Sequence, residues 1–367
     1  MANPLSHPKL FIPGPTEVAE EVLAAQTRPM AGHRSQQFAD LFYSILPRLK
    51  QVLLTDQHLY IVASSGTGLQ EAAMRNAIRP GRKVLNMVAG AFGDRWQKVA
   101  VVNGKDSVRV DIPWGQPIRP EDVDAALAAG GFDAVTIVHN ETSTGVMSDI
   151  AAIARLVRDA YPDVLILVDA VSSASGVRIP FDDWGLDMML TSSQKAFALP
   201  PGLAFAAVSD RLLARAAEVP QRGWYFDLLM LEKYLAAGKT TPATPAISLL
   251  NALDVQLDRI LAEGLEKRWA RHETSMALTH AWAQDRGFDL FPEPGYESRT
   301  VTCVRNSRGV DVPAMIAFAR EHGMIIGNGY GNLKNDTFRI AHMGELGPDD
   351  MRELFAVLDQ FLALARP

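Results

Sequence analysis

The chain has 367 residues, of which 48% are hydrophobic and 21% charged, a composition typical of a globular protein with two domains or one large α/β domain. Its net charge of −6, without any block of Lys and Arg, argues against a nucleic-acid partner. The single cysteine, Cys303, excludes an internal disulfide framework, and no apolar run approaches the roughly 20 residues of a membrane span. Because residues 1–9 also lack an apolar signal core, we expect a cytoplasmic protein that contacts neither nucleic acid nor membrane.

Short β-rich runs alternate with helical patterns between about residues 58 and 210. The predicted strands cover residues 58–63, 83–88, 107–111, 134–139, 164–169, 188–191 and 204–208. The predicted helices cover residues 69–78, 93–103, 120–129 and 148–160, and Ser148 is the expected N-cap of the last of them. This alternation is typical of an α/β fold in which helices cover a mainly parallel, seven-stranded sheet.

The pattern changes after Pro245. Residues 246–285 form one long helical pattern with a soft break at Gly264. A strand at residues 300–304, a helix at 312–322, a strand at 337–341 and a closing helix from Pro348 to about Ala365 follow. We therefore predict a large domain of residues 20–255 and a smaller α+β domain formed by residues 1–19 and 256–367.

An acid ends one of the predicted strands, and an amine follows another. Asp169 ends the apolar run 164–168, and Lys195 follows the short strand at 188–191. Ligands of open α/β sheets bind at the carboxyl ends of the strands, so both side chains point to one crevice. Pyridoxal phosphate chemistry needs this pair, since a lysine forms the Schiff base and a carboxylate keeps the pyridine nitrogen protonated. The alternative is that Asp169 caps a helix and Lys195 is a solvated surface amine.

Two turns rich in hydroxyl groups lie beside the same crevice. Ser65-Gly66-Thr67 stands between a strand and a helix, where backbone N–H groups and hydroxyls can bind a phosphate. It is neither a P-loop nor a dinucleotide fingerprint, and a capped turn without a ligand is the alternative. Thr142, in the turn of residues 140–145, is the candidate for a hydroxyl bonded to the cofactor, whereas Glu141 could belong to a structural ion pair.

Several motifs occur in one order along the chain. They are Ser65-Gly66-Thr67, His139-Asn140-Glu141-Thr142-Ser143-Thr144-Gly145, Asp169-Ala170-Val171-Ser172-Ser173 and Ser193-Gln194-Lys195. Together they resemble the class V, fold-type I pyridoxal phosphate aminotransferases, and most of all the alanine/serine–glyoxylate (serine–pyruvate) aminotransferase branch. The resemblance extends from Pro13-Gly14-Pro15 to Phe338-Arg339-Ile340-Ala341.

The resemblance implies roles for residues around the cofactor. Lys195 matches the Schiff-base lysine, Gln194 a neighbour that contacts the phosphate, and Asp169 the partner of the pyridine nitrogen. Val171 matches a residue on one face of the ring and Phe92 an aromatic residue on the other. Plain core packing is the alternative for Phe92.

The resemblance also implies a homodimer whose active sites are shared across the interface. Thr241 and Thr244 match a segment that reaches the phosphate of the neighbouring subunit, although relatives often have a tyrosine where this chain has Thr241. A proline-rich loop in which Thr244 is a helix N-cap is the alternative.

Arg339 is the candidate for substrate binding. It interrupts a short strand that is otherwise apolar, and an arginine there needs an anionic partner. A substrate carboxylate would be that partner, and the matching arginine of the family holds the α-carboxylate. Gly14, in the Pro13-Gly14-Pro15 turn, is expected to line the same pocket through its backbone.

The candidate residues together indicate an enzymatic activity. We expect transamination between alanine or serine and glyoxylate or pyruvate, through a Schiff base on Lys195, and no metal site, since the sequence has no metal-ligand spacing. Another class V enzyme, such as a 2-aminoethylphosphonate transaminase or an amino-acid lyase, is the alternative. A nicotinamide oxidoreductase would need a glycine fingerprint that this chain lacks, and a non-catalytic protein would not need Lys195. Cys303, in an apolar strand pattern, is expected to be a buried inert thiol rather than the nucleophile of a desulfurase.

Overall fold

A seven-stranded sheet forms the centre of the larger part of the molecule in a computed structural model that describes residues 7–364. Part of the predicted N-terminal segment, residues 1–6, and the predicted end of the closing helix at Ala365 lie outside the described residues.

The described part of the chain contains fourteen strands. They are β1 (Lys9–Phe11), β2 (His58–Ala63), β3 (Lys83–Val88), β4 (Asp106–Asp111), β5 (Phe132–Val138), β6 (Asn140–Glu141), β7 (Val146–Met147), β8 (Leu165–Asp169), β9 (Met188–Ser192), β10 (Leu203–Val208), β11 (Asp289–Leu290), β12 (Val301–Arg305), β13 (Met324–Asn328) and β14 (Thr337–Ala341).

Helices connect and cover these strands. They are α1 (Glu20–Ala25), α2 (Gln36–Leu53), α3 (Gly66–Ala77), α4 (Ala91–Val102), α5 (Pro120–Leu127), α6 (Ile150–Ala160), α7 (Asp210–Ala217), α8 (Leu228–Ala236), α9 (Ile247–Glu263), α10 (Leu265–Asp285), α11 (Val312–Glu321) and α12 (Pro348–Leu364). None of these helices combines the length and the apolar character needed to cross a lipid bilayer.

The strand order of the large sheet is β2-β10-β9-β8-β5-β3-β4, and only β10 runs antiparallel to its neighbours. The connection from β9 to β10, residues 193–202, is too short for the helical crossover that a parallel neighbour requires. The predicted α/β class with a mainly parallel sheet of seven strands is confirmed.

Both faces of this sheet are buried. Along β8, Leu165 and Leu167 contribute to one apolar cluster with α3, α4 and α7, whereas Ile166 and Val168 contribute to another with α2, α6 and α9. Side chains alternate between the faces of a strand, so a run that is apolar throughout marks a strand covered on both sides. The apolar runs of the sequence predicted these strands for that reason.

A second sheet, of order β1-β13-β14-β12-β11, belongs to the smaller part of the molecule. Its strand β1 pairs in parallel with β13, Lys9 opposite Met324, so the N-terminal segment joins the C-terminal sheet. Phe11, Trp282, Phe338 and Phe355 lie in the core beneath it. The boundaries of the two predicted domains, 20–255 and the remainder, stay a prediction.

Two predicted helix starts are wrong. Asp149, not Ser148, is the N-cap of α6, since its carboxylate accepts from the Ala152 N–H at 3.0 Å. The Ser148 hydroxyl instead accepts from the Ile118 N–H at 3.1 Å. Helix α3 begins at Gly66 rather than Leu69, because Ser65 is the last residue with extended backbone. The break predicted at Gly264 is confirmed, because this residue separates α9 from α10. The φ of Gly264, 85°, lies in the left-handed region that favours glycine.

Candidate active site

The acid and the amine predicted from the sequence lie at the carboxyl ends of neighbouring parallel strands. Asp169 is the last residue of β8 and pairs with Leu190 of β9, and Lys195 follows the end of β9 by three residues. The sheet thus brings them to one edge, as expected for ligand binding in an open α/β fold.

The Asp169 carboxylate is buried and held from two sides. Gln70 Nε2 donates to Oδ2 at 2.7 Å, and the Val171 N–H donates to Oδ1 at 2.9 Å. Burial raises the pKa of this carboxyl above its usual range, while the two hydrogen bonds and the positive charges of Lys195 and Arg95 oppose that rise. A buried acid fixed in this way can face a positively charged ring nitrogen, and it is not a helix cap.

The Lys195 amine is likewise no solvated surface group. Nζ donates to the Pro13 carbonyl, and the Thr16 hydroxyl donates to the Lys195 carbonyl at 2.9 Å. Burial, together with the positive charges of Arg339 and Arg95, lowers the pKa of Lys195 to about 8, and the negative charge of Asp169 opposes this shift. An amine with this pKa is partly neutral near neutrality, as a nucleophile or a general base must be.

Gly14 lies against this lysine. A Cβ on Gly14 would come within 2.6 Å of Lys195 Nζ, and its φ of 121° disfavours any side chain. The predicted contribution of the Pro13-Gly14-Pro15 turn to the pocket therefore has a geometric basis, through the Pro13 carbonyl and the missing side chain of Gly14.

The start of α3 offers an anion site. The N–H groups of Gly66 and Thr67 have no acceptor in the described chain, and the Ser65 side chain makes no capping bond to the helix. Gly66 packs so closely on Val171 that a Cβ would overlap its side chain. Gln194 Oε1 is buried without a hydrogen-bond partner among the described residues. A helix N-terminus with free N–H groups binds phosphate well, so the capped-turn alternative has no support here.

Phe92 lies in the first turn of α4, which Glu141 holds in place. The buried Glu141 carboxylate accepts from the N–H groups of Phe92 and Gly93, both at 3.1 Å, and from the Ser143 hydroxyl at 2.5 Å. Glu141 therefore binds a helix N-terminus and forms no ion pair within the described chain. Phe92 is half-buried and outside the apolar clusters, so plain core packing does not describe it.

Arg339 reaches from β14 of the second sheet to the turn between β6 and β7. Its Nε donates to the Asn328 carbonyl at 3.0 Å and its Nη1 to the Thr142 carbonyl at 3.2 Å. Burial lowers the pKa of Arg339, and no carboxylate of residues 7–364 forms an ion pair with it. The buried Thr142 is thus placed beside Arg339, although its contact there is through its carbonyl.

The segment predicted to reach a partner subunit is a loop before α9. The Thr241 hydroxyl donates to the Ala243 carbonyl at 2.8 Å, and Arg34 Nη1 donates to the Thr241 carbonyl at 2.5 Å. Thr244 is exposed. The alternative in which Thr244 caps a helix is wrong, because α9 begins after Ala246 and has no side-chain cap.

Sequence reasoning missed four residues of the site: Gln70, Thr16, Arg95 and Tyr330. Gln70 is one helical turn after Gly66, a spacing that puts it on the same side of α3 and was available as a signal. Arg95 is likewise one turn after Ala91 on α4, and its Nη2 donates to the Tyr330 hydroxyl at 3.2 Å. The contacts of Thr16 and Tyr330 depend on tertiary structure alone.

The predicted buried thiol of Cys303 is confirmed. Cys303 is buried in β12, and burial raises the pKa of its thiol to about 11. The thiol is thus protonated near neutrality and enclosed, which is unsuitable for the mobile nucleophile of a desulfurase.

The residues present fit pyridoxal phosphate. An amine with a lowered pKa, a buried carboxylate with two donors and an anion site at a helix start lie at one edge of the sheet. The Gln194 amide oxygen, which has no hydrogen-bond partner within residues 7–364, lies there as well. The fold and this set of groups define a transferase of the class that uses pyridoxal phosphate.

The chain belongs to the class V aminotransferases, because the family model "Aminotransferase class-V" matches residues 15–331. An uncharacterized aminotransferase of Methanocaldococcus jannaschii is 37% identical over 357 residues, which cover 95% of this chain and 91% of that protein. The L-aspartate–glyoxylate aminotransferase of Paracoccus denitrificans is 36% identical over 346 residues, 92% of this chain and 86% of that protein. The crystal structure of alanine–glyoxylate aminotransferase from a Nostoc species aligns with a TM-score of 0.92 at 32% identity, covering 99% of this chain and 97% of that one.

The predicted family resemblance is thereby confirmed. The protein is an aminotransferase, its family implies pyridoxal phosphate as the cofactor, and its substrates are an amino acid and a keto acid.

Proposed function

We propose that this enzyme transfers an amino group between a small amino acid, alanine or serine, and a 2-oxo acid, glyoxylate or pyruvate, with pyridoxal phosphate linked to Lys195. The observation that carries the proposal is the Lys195 amine, with a pKa lowered to about 8, beside a buried Asp169 at the end of the neighbouring strand. Glyoxylate in the names of the Paracoccus and Nostoc enzymes supports the choice of acceptor.

Several residues hold the cofactor in this proposal. The N–H groups of Gly66 and Thr67, the Ser65 hydroxyl and the Gln194 side chain bind the phosphate. Val171 and Phe92 enclose the ring, and the Thr142 hydroxyl forms a further hydrogen bond to it. Since these groups come from the starts of α3 and α4 and from three loops, the ring would be held on several sides.

Pyridoxal phosphate supplies an electron sink for the electron pair of the substrate's Cα–H bond. Arg339 binds the α-carboxylate and so orients the Cα–H bond toward Lys195. The Lys195 amine, once released from the cofactor, accepts that proton and returns it at the next stage, which a pKa of about 8 permits at neutral pH. Asp169 keeps its negative charge next to the ring nitrogen, where Gln70 fixes its orientation.

The proposal includes a homodimer in which Thr241 and Thr244 approach the phosphate of the neighbouring subunit. The loop is held by Arg34, and its Thr244 is exposed in the single chain. Trp224 and Tyr225 on the same side of the molecule are 52% and 41% exposed, as apolar residues of an interface are. Analytical ultracentrifugation should find a dimer; a monomer with full activity would refute the shared site.

A donor and acceptor panel tests the activity. Purified enzyme should convert alanine or serine with glyoxylate or pyruvate, and Lys195→Ala should abolish turnover. Lys105→Ala is the matched control, since Lys105 is also partly buried and donates to a backbone carbonyl, that of Ile78, at 3.1 Å. Consumption of the amino acid without amino transfer to any 2-oxo acid would indicate a lyase and refute the proposal.

A further inference from the structure

Tyr330 lies against the arginine that the proposed reaction assigns to the substrate carboxylate. The Cζ atom of Arg339 is 5.4 Å from the centroid of the Tyr330 ring, a distance at which a guanidinium is attracted to an aromatic face. Tyr330 is half-buried and belongs to the connection between β13 and β14, residues 329–336. The proposed function assigns no role to this side chain, although it lies beside a group of the site.

The guanidinium of Arg339 is held by two carbonyls as well as by the Tyr330 ring. Its Nε donates to the Asn328 carbonyl, and its Nη1 donates to the Thr142 carbonyl. An arginine has five N–H donors, so three of them, one on Nη1 and two on Nη2, have no acceptor within residues 7–364. Those N–H groups are available to a carboxylate, which binds a guanidinium best when both are fixed in one plane.

The connection that carries Tyr330 is tightly built. Asn328 Nδ2 donates to Asn335 Oδ1 at 2.8 Å, and the Asn335 N–H donates to Asn328 Oδ1 at 2.9 Å. The Leu333 N–H donates to the Tyr330 carbonyl at 3.1 Å. A Cβ on Gly329 would overlap the Leu333 carbonyl, so the turn closes only because the residue before Tyr330 has no side chain. The backbone at Tyr330 is therefore well supported.

Side chains of α4 hold the Tyr330 ring from another side. Arg95 Nη2 donates to the Tyr330 hydroxyl at 3.2 Å, and the centroid of the Phe92 ring is 5.7 Å from that of Tyr330. Arg95 Cζ is in turn 4.8 Å from the Phe92 centroid. Because Phe92 is proposed to enclose the cofactor ring, Tyr330 lies next to both a residue of the cofactor site and the proposed ligand of the substrate.

We propose that Tyr330 is a positioning residue whose ring supports the guanidinium of Arg339 in the orientation that receives the α-carboxylate, while Arg95 anchors its hydroxyl. This inference rests on the proposed role of Arg339 in transamination. Without the ring, one contact of the guanidinium is lost, and binding a carboxylate must then order that side chain at a cost in affinity. Loss of the ring should therefore weaken recognition of a carboxylate and leave the reactivity of the cofactor aldehyde unchanged.

Two reagents that differ in one carboxylate test this role. Aminooxyacetate and O-ethylhydroxylamine are similar in size, and each condenses through its aminooxy group with the aldehyde of bound pyridoxal phosphate. Only aminooxyacetate carries a carboxylate. The change in the absorption spectrum of the holoenzyme gives a second-order rate constant for each reagent. The quotient of the two constants, aminooxyacetate over O-ethylhydroxylamine, is the carboxylate preference, and it should exceed that of free pyridoxal phosphate.

Tyr330→Leu removes the ring and should lower the carboxylate preference by about 3- to 30-fold, the range expected for a cation–π contact. Tyr330→Phe keeps the ring, loses only the hydroxyl, and should lower the preference by a smaller factor. Tyr296→Leu is the matched control, since Tyr296 is also half-buried and its ring centroid lies 5.8 Å from Arg119 Cζ. Its loss should leave the preference unchanged. Both reagents are measured on one preparation, so the fraction of folded protein cancels from the quotient.

An unchanged carboxylate preference in Tyr330→Leu, or an equal loss in Tyr330→Phe or Tyr296→Leu, would overturn the positioning role of Tyr330. Reaction of the wild-type holoenzyme with both reagents would then still support the proposed function. A wild-type enzyme that reacts with neither reagent would instead overturn the proposed function itself.

Discussion

The buried amine of Lys195 should destabilise the cofactor-free protein in a pH-dependent way. Its pKa falls from 10.5 in an exposed lysine to about 8 in the fold, so protonation favours the unfolded chain. At about 1.4 kcal/mol per pKa unit, this shift lowers the free energy of unfolding by about 3 kcal/mol at pH 7. This reduction in the free energy of unfolding is fully present below pH 8 and becomes smaller as the pH rises toward 10.5. At pH 10 it is about 1 kcal/mol.

Lys195→Met removes the charge while retaining an unbranched side chain. Guanidinium unfolding of the cofactor-free proteins, at one protein concentration, should show the variant to be more stable than wild type at pH 7. That advantage should narrow by about 2 kcal/mol between pH 7 and pH 10, as the wild-type amine becomes neutral.

Lys98→Met is the control for this experiment. The Lys98 side chain is 70% exposed and pairs with Asp94 on the surface, so no comparable dependence is expected. The Lys195→Met variant and wild type differ in their free energy of unfolding. If that difference stayed the same from pH 7 to pH 10, it would refute the account of a buried, readily neutralised amine.

Three further substitutions test the contacts around this amine and its acid. Gln70→Leu removes one of the two donors to Asp169 and should lower kcat about tenfold in a coupled assay; a change in KM alone would contradict the orienting role. Gly14→Ala would bring a Cβ within 2.6 Å of Lys195 Nζ, and kcat should fall by more than about tenfold with an unchanged circular dichroism spectrum. Glu141→Gln replaces a buried carboxylate that accepts several hydrogen bonds. It should lower the free energy of unfolding by about 1–3 kcal/mol in denaturant titrations. An unchanged free energy of unfolding would show that these hydrogen bonds contribute little to stability.

The large sheet could be predicted because its strands carry a strong local signal. Runs such as 164–169 are apolar at every position, as strands covered on both faces must be. Once the sheet is parallel, the ends of neighbouring strands share an edge. For this reason the sequence could place Asp169 and Lys195 together without any knowledge of the loops.

Other features depend on contacts that chain position does not reveal. Strand β1 has only three residues, and its partner β13 is some three hundred residues away, so neither has a clear local pattern. Ser148 and Asp149 are adjacent and both suit an N-cap; the contact of Ser148 with Ile118 decides between them. Arg95 looks like any polar residue of a surface helix until Tyr330 is brought beside it.

The covalent attachment of the cofactor to Lys195 is the central claim, and it can be measured directly. The purified enzyme is reduced with borohydride and digested, and the peptides are analysed by mass spectrometry. The account predicts a phosphopyridoxyl group on the peptide that contains Lys195, at a stoichiometry near one per subunit. The same group on a different lysine, or its absence from an active enzyme, would contradict it.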